Sequence, residues 1–327
     1  MKKTLKILLP LVFGVGVLFL FLRGFSEQQY QNVITSIRRA DIRLIVLSVL
    51  LGLLSHIIRA VRWKYLLEPF AGKRPKTWNL IFAVGLSYLV NLGIPRSGEV
   101  ARALTVAKYE NLPFARVMGT VITERIVDTI ILLLFVLAGL WVEFDMISGY
   151  LDQYYQNLPK GKWFILLLSL TILLWAGFIF TIKSESVLAR KIKNFMAEIK
   201  NGVFSIIRSR HKTAFFIQTF LIWFLYVLML YVVMLAFDET KGLPSGAVLL
   251  SFVTGSLSIV LSNGGIGTYP VFVTETLLLY GVSKDGGFAF SLTMWSAQTL
   301  VLILFGIVSM MMLPAVNRKN ANSQANA

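Results

Sequence analysis

Long runs of apolar residues without alternating polarity are the main feature of this chain. Ile130–Leu140 and Phe164–Ile182, for example, contain no charged residue. A hydrocarbon core about 30 Å thick is crossed by about 20 helical residues. A transmembrane β-barrel would instead show segments of about ten residues that alternate in polarity. The pattern therefore predicts an all-α polytopic membrane protein.

Six apolar segments are long enough for full spans, and two shorter segments end in a glycine-rich break. The predicted spans are 5–23, 41–59, 115–142, 163–182, 214–237 and 288–313. The breaks follow 78–94 and 245–262, and the short segments after them are 97–109 and 269–281. A signal peptide would have a shorter apolar core than the first segment, so we expect a retained first helix.

Basic residues set the predicted orientation. The chain has 32 Lys and Arg against 16 Asp and Glu, a net charge of +16. These cations concentrate at both termini and in the connections 59–76 and 183–212, which the positive-inside rule places in the cytoplasm. We expect the amphipathic segment 183–212 to lie on the anionic inner leaflet of the cytoplasmic membrane. Because the charge lies between spans and base-contacting motifs are absent, no nucleic-acid partner is predicted.

This orientation makes 78–109 return to the cytoplasmic side and 245–281 return to the outer side. We therefore predict two re-entrant helical hairpins that enter from opposite faces, with full crossings by both arms as the alternative. The breaks also share an Asn-x-Gly-Ile pattern, at Asn91–Ile94 and Asn263–Ile266. The prediction is one integral membrane domain, 1–327, as a four-plus-four inverted repeat with halves at about 5–142 and 163–313. Secondary transporters have this architecture.

The return segment of the first hairpin carries charges on one helical face. Arg96, Glu99 and Arg102 are spaced by three residues, which places them on the same side of a helix. Pro95 suits the start of that helix, and Gly98 permits close packing. Two arginines beside a helix N-terminus favour the binding of an anion, and phosphate is the expected ligand.

The span 115–142 carries Glu124, Arg125 and Asp128 near mid-membrane. Each intramembrane charge costs at least about 2.5–3.5 kcal/mol on insertion scales, so these side chains are expected to be paired or to line a cavity. Two overlapping interpretations remain open. In one, the three arginines of these two segments neutralise their three acidic residues; in the other, at least one arginine holds a ligand phosphate.

The candidate site residues follow from these segments and from the two breaks. Candidate substrate-binding residues are Arg96, Arg102, Arg125, Asn91, Asn263 and Gly265. Candidate coupling or orienting residues are Glu99, Glu124, Asp128 and Glu275. The chain has no Cys, only two His, and no Ser-His-Asp, HExxH or Walker pattern, so we predict no enzyme activity, no cofactor and no metal site.

Two motifs carry a family resemblance: P-x-x-G-E-x-x-R within Gly93–Arg102, and E-R-x-x-D at Glu124–Asp128. With the later Gly264–Gly267, they resemble the flippase-like membrane domain of lysylphosphatidylglycerol synthases over roughly 5–313. The resemblance implies a role in moving or presenting lipids across the cytoplasmic membrane. In the full synthase a soluble aminoacyl transferase domain makes the modified lipid; that domain is missing here, so no such synthesis is implied. Many members have an acidic residue soon after the second glycine-rich turn, where this chain reads Thr268-Tyr269-Pro270.

We therefore predict a lipid flippase or scramblase-like transporter. Its cargo would be a phosphate-bearing lipid: an anionic phospholipid, a polyprenyl-phosphate or a glycolipid, with ion coupling through the carboxylates as an option. The alternatives are an intramembrane lipid-modifying enzyme, a subunit that presents lipid to a separate glycosyl- or aminoacyl-transferase, and a small-solute transporter.

Overall fold

The computed structural model describes residues 2–72, 74–94, 97–154 and 210–325. Within these ranges the regular structure is entirely helical, so the prediction of an all-α protein is confirmed for this part of the chain. The predicted span 163–182, almost all of the basic segment 183–212, and Arg96 lie outside the described residues.

The described helices follow one another with short connections, except across the gap after α7. In chain order they are α1 (Lys2–Leu22), α2 (Glu27–Arg39), α3 (Ile42–Ala71), α4 (Thr77–Gly93), α5 (Gly98–Glu110), α6 (Phe114–Val142), α7 (Phe144–Tyr154), α8 (Lys212–Met234), α9 (Ser245–Leu261), α10 (Thr268–Leu278) and α11 (Lys284–Ala325). A 3₁₀ turn, Asn263–Gly265, separates α9 from α10.

Four of these helices, α3, α6, α8 and α11, are long and apolar enough to cross a membrane. They correspond to the predicted spans 41–59, 115–142, 214–237 and 288–313, so a membrane protein with several spans is confirmed. By the same criteria α1 and α2 pass only as a pair, and the chain bends by 111° between them.

The bend before α2 has a local cause in the sequence. Ser26 Oγ accepts a hydrogen bond from the Gln29 N–H, and the Gln29 side chain accepts one from the Ser26 N–H. Such a capping box starts a new helix and fixes its entry. Asn32 of α2 donates to Asp285 at 2.7 Å, which holds α2 against the start of α11.

The helices α4 and α5 form an antiparallel pair, which we call the first pair. At its open end Glu110 accepts hydrogen bonds from the Asn79 side chain at 2.6 Å and from the Lys76 N–H at 3.1 Å. At its closed end the Gly98 N–H donates to Asn91 Oδ1 at 2.7 Å. The start of α4 therefore lies beside the end of α5, and the chain returns to the side from which it came.

The helices α9 and α10 form a second antiparallel pair with the same arrangement. Thr276 Oγ1 donates to Thr254 Oγ1 at 2.9 Å along the two arms, and Thr268 Oγ1 donates to the Ser258 carbonyl at 3.1 Å near the closed end. Hydroxyl contacts of this kind let two helices pack closely where no water is available.

The closed ends, or tips, of the two pairs meet. Asn263 Nδ2 of the second tip donates to the Leu92 carbonyl of the first tip at 3.3 Å. The second tip turns through Gly264, Gly265 and Gly267, whose φ angles of 66°, 78° and 72° favour glycine. The two pairs therefore lie tip to tip, with their open ends pointing in opposite directions.

The helix α11 runs past both pairs. Its start faces α10 at Gly287, and Trp295 Nε1 donates to the Gly264 carbonyl at the tips at 2.9 Å. Near its end Asn317 donates to Asn79 Oδ1, at the open end of the first pair, at 2.7 Å. Along α11 these contacts pass from the open end of the second pair, past the two tips, to the open end of the first pair.

The helix α6 runs the other way along the same two pairs. Val117 and Val121, in its first half, belong to the apolar core around the first pair. Gly139, in its last turns, faces Leu250 and Val253 of α9. Together α6 and α11 span both pairs in opposite directions and bring the middle of α6 level with the tip region.

Candidate functional site

The helix α3 continues well beyond the predicted span 41–59. The sequence assigned 59–76 to a cytoplasmic connection because six basic residues lie there, but the structure keeps the chain helical to Ala71. Arg59 and Arg62 therefore lie inside the helix, with only 5% and 0% of their side chains exposed. Their charges are balanced by α6, which hydropathy alone does not show.

Glu124 of α6 is the centre of a buried group of charges. Its Oε1 lies 2.8 Å from Arg59 Nη1 and 3.1 Å from Arg62 Nη2, and its Oε2 lies 2.6 Å from Arg102 Nη2. Arginines from both α3 and α5 thus contact one carboxylate, which is completely buried. Glu124 joins these three helices.

Asp128, one turn further along α6, contacts the same two arginines of α3. Its oxygens lie 2.7 Å from Arg59 Nη1 and 3.0 Å from Arg62 Nη2. Arg59 and Arg62 are three residues apart on α3, and Glu124 and Asp128 are four residues apart on α6. Either spacing places two side chains on the same face of a helix, so the arginines and the carboxylates can face each other. Arg62 also donates to Thr219 Oγ1 of α8 at 3.0 Å, which attaches a fourth helix.

Aromatic rings cover two of the guanidinium groups. The Arg102 guanidinium lies 4.1 Å from the centre of the Trp63 ring, and the Arg62 guanidinium lies 5.2 Å from that of Phe215. The indole N–H of Trp63 donates to Thr120 Oγ1 of α6 at 2.9 Å, so the ring is fixed in place. Contacts of cations with desolvated aromatic faces are favourable.

We refer to Arg59, Arg62, Arg102, Glu124 and Asp128 as the buried ion network. It places three guanidinium groups against two carboxylates, which leaves one positive charge in excess. The Nε atoms of all three arginines are buried and have no hydrogen-bond partner among the described residues. The network lies near the middle of α3 and of α6. The structure thus concentrates positive charge in the protein interior, where charge is costly unless it is paired.

One edge of the network is formed by aromatic and imidazole groups. Arg59 Nη2 donates to the Tyr226 hydroxyl of α8 at 3.1 Å. His56, one turn before Arg59 on α3, is buried, and its Nδ1 lies 2.9 Å from the Tyr88 hydroxyl of α4. This edge connects the network to the first pair, one turn before the tip residue Asn91.

Comparison with known proteins gives the family. The family model of the lysylphosphatidylglycerol synthase TM region matches residues 7–306. The chain belongs to this family. It is also similar to UPF0104 membrane protein MJ1595 of Methanocaldococcus jannaschii, with 30% identity over 96 residues, an alignment that covers 28% of this chain and 28% of that protein. No solved structure matches the chain at a significant level.

The two charged motifs that suggested the lysylphosphatidylglycerol synthase family lie side by side in the structure. Arg102 of the first motif pairs with Glu124 of the second. Glu99 of the first lies 3.5 Å from Arg125 of the second, with 25% and 42% of these side chains exposed. Two ion pairs between these segments are therefore formed, but they differ in character: one is short and buried, and the other is longer and joins half-buried side chains.

The remaining predicted site residues lie at the tips or away from the network. Asn91 binds the Gly98 N–H within the first tip, and Asn263 bridges to the first tip. Gly265 is buried in the second tip. Glu275 is exposed on α10, which packs against α9, α11 and α1.

Sequence reasoning missed Arg59 and Arg62, which are the partners of Asp128. A signal was present: apolar residues continue around these arginines through Leu66 and Leu67, and their spacing of three suits the spacing of Glu124 and Asp128. The signal is hidden when both arginines are counted with the basic connection 59–76.

Proposed function

We propose that this chain is a lipid flippase or scramblase-like transporter that moves a phosphate-bearing lipid across the cytoplasmic membrane. The buried ion network carries this proposal, because an excess positive charge held at mid-depth is stabilised by an anion. Phosphate suits guanidinium groups, which bind it through two parallel hydrogen bonds. Membership of the lysylphosphatidylglycerol synthase TM family supports a lipid-related role in the membrane.

The proposed architecture has two re-entrant hairpins, the first and second pairs, within an inverted repeat. Their antiparallel arms and their tip-to-tip contact support it. Irregular backbone at membrane depth is tolerated where protein or a water-filled cavity surrounds it. In transporters such breaks lie at the substrate site, and one half moves against the other around it.

Cysteine labelling tests this topology, since the chain contains no native cysteine. We expect Lys76→Cys and Pro113→Cys, which flank the first pair, to react with a membrane-impermeant maleimide from the same, cytoplasmic side. Asp145→Cys, beyond the other end of α6, is the control and should react from the opposite side. Reaction of residues 76 and 113 from opposite sides would mean that the first pair crosses the membrane.

Within this site Arg125 is the arginine best placed to contact a headgroup. Arg102 is buried and engaged by Glu124, whereas 42% of the Arg125 side chain is exposed and its ion pair with Glu99 is long, at 3.5 Å. A phosphate can approach Arg125 without first breaking a buried pair. The network then holds α5 and α6 so that Glu99 and Arg125 keep their places.

Arg125→Ala is expected to slow lipid movement at least about tenfold. Hydrogen bonds to charged groups contribute about 1.5–3 kcal/mol, which corresponds to roughly tenfold or more in rate if the contact is made during transfer. The measurement is translocation of fluorescent phosphatidylglycerol in proteoliposomes, read by dithionite quenching. The matched control is Arg74→Ala, since 78% of the Arg74 side chain is exposed. An undiminished rate in Arg125→Ala would refute this site.

A further inference from the structure

His56 is a buried titratable side chain that the proposed headgroup site does not use. It lies on α3 one turn before Arg59 and is 9% exposed. Its Nδ1 is 2.9 Å from the Tyr88 hydroxyl, and its ring centre is 6.2 Å from that of Tyr226. A histidine in such a place can carry a proton into and out of the protein interior.

The groups that face His56 come from every helix packed against α3. Arg59 is on its own helix, Tyr88 on α4 and Tyr226 on α8. The helix α6 contributes Asp128 and Glu124, which pair with Arg59. The helix α11 contributes the uncharged Gln298, which lies against Gly52, one turn before His56. The charged neighbour closest along the helix is therefore a cation.

The carboxylates of the network are poorly placed to carry a coupling proton. Glu124 is contacted by three arginines and Asp128 by two. A proton on either carboxylate would leave buried guanidinium groups without their counter-charge, which is strongly unfavourable. His56 has a phenol as its hydrogen-bond partner, so its protonation breaks no ion pair.

A proton on His56 adds a second uncompensated positive charge beside Arg59. An anion bound at Arg125, beside the network, compensates that charge, and by linkage the proton then strengthens binding of the anion to the same degree. We propose that His56 is a proton-binding site that fills together with an anionic phosphate group at Arg125, beside the ion network. This inference rests on the proposed function and makes transport proton-coupled through His56.

In the proposed protonation of His56, water supplies the proton and takes it back on release. In the tautomer that carries its proton on Nε2, neutral His56 accepts at Nδ1 from the Tyr88 hydroxyl. On taking a proton from water at Nδ1, the imidazolium donates and the Tyr88 oxygen accepts. On release the proton returns to water and the hydroxyl turns back. Because Tyr88 lies on α4, one turn before Asn91, this exchange occurs beside the first tip.

The direct test is nitrogen NMR of a protein with His56 as its only histidine. The chain has two histidines, so His211→Gln labelled with ¹⁵N-histidine contains one imidazole, and the signal pattern of its two ring nitrogens reports whether it is protonated. At pH 7 in micelles we expect dihexanoyl phosphatidylglycerol to change the signal from the neutral to the cationic pattern. Zwitterionic dihexanoyl phosphatidylcholine is the control and should leave it neutral. A signal that stays neutral with phosphatidylglycerol bound overturns the inference.

A parallel arm with inorganic phosphate separates the two sources of the anion. A response to phosphatidylglycerol alone identifies a lipid headgroup as the ligand. A response to inorganic phosphate alone upholds the proton site but assigns it to free phosphate, which overturns the lipid proposal.

Binding affinity gives a second measurement that does not depend on transport. We expect phosphatidylglycerol to bind wild type roughly tenfold more tightly at pH 6 than at pH 8, within the usual range of coupling between two sites. His211→Gln should keep this pH dependence and His56→Gln should lose it. Equal affinity at both pH values in wild type overturns the inference alone; no binding of phosphatidylglycerol by wild type overturns the proposed function with it.

Discussion

Glu124→Gln is expected to destabilise the protein by about 3–5 kcal/mol, the usual cost of removing one partner from a buried ion pair. The carboxylate contacts Arg59, Arg62 and Arg102. Glutamine keeps the shape of the side chain but removes the negative charge, so the buried excess of positive charge grows. The free energy of unfolding, or the melting temperature in one detergent, measures the effect.

The control for this substitution is Glu275→Gln, the same chemical change at an exposed position on α10. Surface changes of this kind usually alter stability by no more than about 0.5 kcal/mol. Similar melting temperatures for Glu124→Gln and Glu275→Gln would contradict the assignment of Glu124 as the centre of the network.

A second substitution distinguishes charge balance from loss of shape. Adding Arg102→Gln to Glu124→Gln removes one positive charge as well, so the double variant should be less destabilised than the two single losses added together. Residues in one ion network commonly show coupling of about 0.5–3 kcal/mol. Purely additive losses would mean that Arg102 and Glu124 do not interact as the structure shows.

The apolar runs of the sequence predict the long helices well. The spans 115–142 and 288–313 fall within α6 and α11, because about 20 apolar residues in a row have few other stable arrangements. The helix α3 extends beyond the predicted span 41–59 for a physical reason: Arg59 and Arg62 lower the local hydropathy, yet the carboxylates of α6 neutralise their charges. Charge compensation between distant segments is a property of the fold, and a window along the chain does not detect it.

The charged candidates show the same limit. The sequence indicates that Glu124 and Asp128 need positive partners at depth, and this need follows from the cost of burying charge. It does not say which arginines supply them, because helix periodicity relates residues within one helix only. Arg102 is a candidate site residue from the sequence and lies in the network, whereas the sequence places Arg59 and Arg62 in the connection 59–76. The Asn-x-Gly-Ile pattern of the two breaks gave no sign that Asn263 bonds across to Leu92.

Gly98→Ala is the other substitution with a large expected effect, since it adds a methyl group where the first pair closes. A Cβ at Gly98 would overlap the Ser87 carbonyl oxygen and would come within 2.6 Å of the Asn91 side chain. Backbone does not yield as a flexible side chain does, so α5 would have to move away from α4. Overpacking of this kind typically costs about 1–3 kcal/mol.

The consequences of Gly98→Ala extend to the site, because Arg102 lies one turn further along α5 and pairs with Glu124 at 2.6 Å. We therefore expect lower melting temperature and slower lipid translocation together. Gly119→Ala is the control: Gly119 is exposed in the second turn of α6, with nothing within 4 Å of an added Cβ. Alanine is favoured over glycine in a helix by up to about 1 kcal/mol, so that variant should be as stable as wild type or more so. If Gly98→Ala behaves like Gly119→Ala, then α4 and α5 do not pack as closely as described, and the first pair does not hold Arg102 against Glu124.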